Sequence, residues 1–197
     1  MPLIELLSMR QNIKNKSYHK IKYGHDIKFE MRVLSPNDKE LLGDFDCGND
    51  VINDFAINKL EQQSDYVTYV FEDIGCKQII AFASLACSSI KYECQGIVQS
   101  LPAIEIKYFA IKKQLQKLKY DEDDDHFYFS DMILSKIILR CREISEQVVG
   151  ANYIILYSVP DAVKFYARNF FNDYSEYMLK DNISFLDGCK PMYMSLC

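Results

Sequence analysis

Ile27, Phe29, Met31 and Val33 alternate with polar residues, the period of a half-buried strand. Ser35-Pro36 follows. Serine caps orphan amides and proline suits the first helical position, so PNDKELLG is expected as a short helix ending near Gly43. After the turn FDCGN, Val51, Phe55, Ile57 and Leu60 recur at roughly helical spacing, which predicts an amphipathic helix over 50–63 with Asn49 as its cap. The segments YVTYVFE and QIIAFASLACS flank the turn-like DIGCK and are rich in β-branched and aromatic residues, predicting an antiparallel hairpin. A connector then leads to Pro102.

Ile104 to Ile111 reads as another strand, followed by an acidic loop from Asp121 to Asp125. Ser130 or Asp131 is placed to cap a helix whose Ile133, Leu134, Ile137, Ile138, Cys141, Ile144 and Val148 form one apolar stripe ending near Gly150. Tyr153 to Val159 is apolar almost throughout, as in a strand covered on both faces. Pro160 and Asp161 open a helix over AVKFYARNF, and two short strands, 176–179 and 192–196, close the chain. Leu3 to Ile13 is loosely helical and precedes a polar connector. The expected organisation is an N-terminal extension over 1–26 and a single mixed α/β domain over 27–197. Parallel strands joined by a crossover helix leave a crevice at their carboxyl ends, where open α/β sheets take ligands.

With 197 residues, about half of them apolar, one sizeable core is within reach. The net charge of -5 argues against a general nucleic-acid binder. Seven cysteines, an odd number without a C-x-x-C pair or metal-ligand spacing, read as reduced structural thiols; Cys87 and Cys141 fall on apolar faces. MPLIELLSMR lacks a basic leader and no apolar run approaches a membrane span, so a cytoplasmic protein is expected. The acidic run fails as a calcium loop: the sixth position is His126 rather than glycine, and the twelfth is Met132 rather than glutamate.

The element order resembles the Gcn5-related N-acetyltransferase (GNAT) superfamily from about Ile27 to Leu196. EIKYFAIKK is similar to its fourth strand, AVKFYARNFF to its fourth helix with an F-Y-x-x-x-x-F pattern, and FDCGNDVINDFAINKL to the F-x-C-G segment of toxin-type members. The resemblance implies a central, mostly antiparallel sheet with splayed parallel fourth and fifth strands, flanked by helices. It implies acetyl-CoA as cofactor, with the pantetheine arm paired to backbone around Phe109, Ala110 and Ile111. The family's glycine-rich pyrophosphate loop has no counterpart, since no glycine stands between Gly96 and Gly150. Lys112, Lys113, Lys117 and Lys119 offer point charges to phosphates there, and Ser130 at the helix start completes the implied cofactor contacts.

Acetyl transfer to an amine needs a neutral amine, stabilisation of the carbonyl's developing charge, and a proton for the leaving thiolate. By resemblance Tyr166 supplies that proton; its ordinary alternative is an aromatic packed beneath the sheet. Glu105 stands where histone-acetylating members carry a general base, and its alternative is a solvent-facing strand residue. The implied acceptor is an amine on a small molecule, a protein or an aminoacyl-tRNA, with a homodimer possible and no membrane partner. The competing class is a non-catalytic GNAT-like binding module. A dinucleotide-binding Rossmann enzyme is disfavoured because no G-x-G-x-x-G follows any expected strand.

Overall fold

β1 (Phe29–Val33) pairs antiparallel with β2 (Val67–Asp73), from Phe29 opposite Asp73 to Val33 opposite Tyr69. The computed structural model describes residues 18–58, 60, 65–178 and 188–196. The helix expected over 3–13, most of 59–63 and Leu179 lie outside them. Seven strands form one sheet in the order β1-β2-β3-β4-β5-β7-β6. The remaining strands are β3 (Gln78–Cys94), β4 (Ile97–Ile111), β5 (Tyr153–Ser158), β6 (Asn172–Asp173) and β7 (Lys190–Ser195). The helices are α1 (Lys39–Leu42), α2 (Asp50–Asn58), α3 (Phe129–Ile144) and α4 (Val163–Arg168). The mixed architecture, with β4 and β5 parallel in a mostly antiparallel sheet, is the expected one.

The chain divides into two compact units, Met1–Ala83 with Tyr108–Leu134, and Ser84–Lys107 with Ser135–Cys197. In the first, Phe71, Phe82, Ile79, Ile80 and Phe129 are fully buried. Edge contacts join Phe29 to Phe71 and to Phe129, with ring centroids 5.8 and 5.7 Å apart. Such aromatic pairs add roughly 0.5–1.5 kcal/mol beyond the area they bury. Ser35 caps the turn leading into α1, accepting from the Asn37 amide, while Asp38 reaches back to the Ser35 amide. Asp38 also takes a bidentate bond from the Arg32 guanidinium (2.6 and 2.7 Å), which donates to Glu72 as well. Burial pushes the Asp38 carboxyl up, but the Arg32 and Ser35 hydrogen bonds outweigh it and hold it below its ordinary value. Asn49 caps α2 by accepting from Val51 and Ile52.

In the second unit, β5 lies between β4 and β7, and Ile154, Ile155 and Leu156 are buried as a strand covered on both faces requires. Ile137 and Cys141 of α3, one helical turn apart, are fully buried, and Gly150 (φ +53°) ends that helical run in the left-handed conformation.

Three expectations are corrected. The connector before Pro102 is strand: β3 runs to Cys94 and β4 starts at Ile97, joined by Gln95 and Gly96, both at positive φ. That is the backbone of a tight two-residue hairpin turn, a conformation glutamine rarely takes. The strand expected over 176–179 is a single 3₁₀ turn over Ser175–Tyr177, and the edge strand is the shorter Asn172–Asp173. Cys87 is exposed, whereas Cys141 is buried.

Candidate functional site

The parallel ladder between β4 and β5 has three rungs, Ala103–Tyr153, Ile104–Ile154 and Glu105–Ile155. Beyond them β5 continues through Leu156, Tyr157 and Ser158 paired to β7, and β4 continues to Ile111 without β5 as a partner.

Glu105 is half-buried at the last rung. The register puts it on the sheet face of Ile155, and period-2 alternation adds Tyr153 and Tyr157 to that face. Tyr174 is buried and hydrogen-bonded to Tyr157; burial first, then that bond and the nearby Glu105 charge, raise its phenol above the ordinary range. Glu105 therefore sits among tyrosines. Tyr157 and Tyr174 did not stand out in a chain with fourteen tyrosines, although the alternation in YIILYS already placed Tyr157 on this face.

Tyr166, on α4 in the same unit, is buried with its ring edge-on to Phe165 and Phe171. No described residue hydrogen-bonds its hydroxyl, and desolvation alone raises its pKa. Such a phenol stays protonated at neutral pH and has a proton to give.

The other expected contacts lie in the first unit. Phe109 is half-buried, while Ala110 and Ile111 are buried. Gln116 donates to the Ile111 carbonyl (2.9 Å) and to the Cys47 carbonyl (2.8 Å), tying the F-x-C-G segment to the end of β4. Asp46 reinforces that tie: its carbonyl accepts the Lys113 amide, and its side chain takes the Gly48 amide and the Asn53 amide group. Gln116 escaped the sequence reading because an exposed amide side chain in a loop carries no pattern.

Lys112 and Ser130 are engaged within the chain. The Lys112 ammonium is buried and donates to Gln78 at 2.9 Å, its pKa lowered by desolvation, and its amide donates to Ile80. Ser130 is buried inside the first turn of α3, where its hydroxyl donates to the Gln116 carbonyl. Lys113 keeps an exposed ammonium, although its amide is taken by Asp46. The acidic segment is a hairpin closed by the Lys119–Tyr128 bridge; Gly24 and His25 donate their amides to Lys119 and Tyr120, and Lys119 pairs with Asp125.

Acetyl-CoA is the group the family resemblance implies. The start of α3, where an anion would be expected, is occupied by the chain's own carbonyl and carboxylate groups.

The sheet order and the parallel β4–β5 pair in a mostly antiparallel sheet are those of a GNAT-like fold. No family model matches the chain, and no curated protein matches it. Solved structures do. A bacterial toxin is 19% identical, with a TM-score of 0.64 and coverage of 86% of this chain and 92% of that one. The AtaTR complex bound with acetyl-CoA is 16% identical (TM-score 0.62; 87% and 94% covered). AtaT in complex with acetyl-methionyl-tRNAfMet is 14% identical (TM-score 0.64; 85% and 95% covered). At such identities the likeness is one of fold alone.

Proposed function

We propose that this protein is an N-acetyltransferase that moves an acetyl group from a pantetheine thioester, acetyl-CoA in the first instance, to an amine by direct attack. The observation that carries this reading is the end of the parallel β4–β5 ladder at Glu105–Ile155, the half-buried carboxylate at its last rung lying among tyrosines.

The amine nitrogen attacks the thioester carbonyl carbon, a C–N bond forms, the C–S bond breaks, and the thiolate leaves. Tyr166, kept protonated by burial, gives the thiolate its proton. Glu105 takes the proton that the amine sheds, directly or through water. An aminoacyl-tRNA amine is favoured as acceptor because a structural neighbour was solved with acetyl-methionyl-tRNAfMet.

Incubation with acetyl-CoA and a panel of amines (aminoacyl-tRNA, spermidine, a lysine peptide), read by mass spectrometry, tests the reading. Acetylated aminoacyl-tRNA supports it, and a product from another amine moves the acceptor class. No product from any amine leaves the second reading, a non-catalytic module, which the occupied start of α3 favours.

A further inference from the structure

The start of α3 is where a helix would receive an anion, through orphan amides and the positive end of its dipole. In this chain three of those amides, those of Tyr128, Phe129 and Asp131, are spent internally. The Phe129 amide donates to the Leu118 carbonyl at 2.8 Å, and the Asp131 and Met132 amides donate to the Tyr128 carbonyl. Asp131, 2% exposed, turns its carboxylate back onto the Tyr128 amide at 2.8 Å. A buried carboxyl group thus already occupies the first turn, and the Ser130 hydroxyl is committed to the Gln116 carbonyl.

The side chains around it do not restore a phosphate site. The segment from Lys112 to Asp131 carries four lysines against six carboxylates. Lys112 is buried on Gln78 and Lys119 is paired with Asp125, so two of the four positive charges are already engaged. Asp121 to Asp125 crowd the neighbouring hairpin with negative charge, which repels a diphosphate.

We infer that this protein recognises its acyl donor through the pantetheine thioester alone, and that the nucleotide diphosphate end of coenzyme A contributes little to binding. The donor class is therefore acyl-pantetheine thioesters in general, of which acetyl-CoA is one. The inference rests on the acyltransferase reading above and concerns a different part of the donor.

Calorimetric titration of the full chain with acetyl-CoA, acetyl-pantetheine and adenosine 3′,5′-bisphosphate separates the two. Affinities for acetyl-CoA and acetyl-pantetheine within about threefold, with no binding of the bisphosphate at millimolar concentration, support the inference. Acetyl-CoA binding more than about thirtyfold tighter than acetyl-pantetheine overturns it and leaves the acyltransferase reading standing. Failure of both thioesters to bind at millimolar concentration overturns both.

Discussion

Glu105 and Ile155 form the last rung of the parallel ladder between β4 and β5. Past that pair the two strands follow different partners, β5 keeping to β7 as far as Ser158–Lys190.

Tyr166→Phe removes the acid without removing the packing. Its hydroxyl has no hydrogen-bond partner among the described residues, so stability changes by less than about 1 kcal/mol in urea unfolding. Turnover falls about a hundredfold. Turnover equal to the parent would remove the proton-donor role.

Arg32 neutralises two buried carboxylates, Asp38 and Glu72. Arg32→Ala strands Asp38 and leaves Glu72 only the more exposed Lys77 at 3.4 Å, and the cost is about 3 kcal/mol in chemical denaturation. A loss under about 1 kcal/mol would mean that water reaches the pair and screens it.

The same cluster governs acid stability. Asp38 binds its proton less tightly in the native state than in the unfolded chain. Its contribution is complete above the unfolded value of about 3.9 and is lost as pH falls through the lower native value. Unfolding curves collected between neutral pH and pH 3 should show stability declining at the acid end in the parent, and a shallower decline in Asp38→Asn. Identical slopes would count against it.

Gly24 lies against the residue that opens α3. A Cβ there would sit 2.8 Å from Phe129 Cδ2 and 3.0 Å from its Cβ. Gly24→Ala should therefore cost about 1–3 kcal/mol, measured by thermal or urea unfolding, and an unchanged midpoint would show that Phe129 yields readily.

Cys87 and Cys141 should part under iodoacetamide. Cys87 is exposed and is alkylated in the native protein; Cys141, fully buried with its thiol pushed up to about 12, reacts only after denaturation. Peptide mass mapping reads both sites, and labelling of native Cys141 would contradict its burial.

Much of the architecture was legible in local patterns. The strand signalled by Phe29 and Met31, the Ser35-Pro36 and Asn49 caps, the stripe from Ile133 to Cys141 and the apolar run of β5 each act within one element and are found in their places, although β1 begins only at Phe29 and Val33 is exposed. What stayed hidden depends on partners distant in sequence. Gln95 turns a hairpin only because β3 and β4 pair on either side of it. Lys112 reads as a surface lysine until Gln78 and Ile80 enclose it, and Asp131 reads as a plain cap until Tyr128 folds back onto it. Glu105 could be named from its strand, but Tyr157 and Tyr174 join it only through strand register and the fold of the C-terminal segment.

The central claim is that the β4 edge beyond Glu105 receives the thioester arm, and amide hydrogen exchange with and without acetyl-pantetheine tests it most directly. The account predicts slower exchange on ligand addition in the peptide spanning 106–111, with the hairpin at 119–128 unaffected. Unchanged exchange across 106–111 at a ligand concentration that saturates the protein would contradict it.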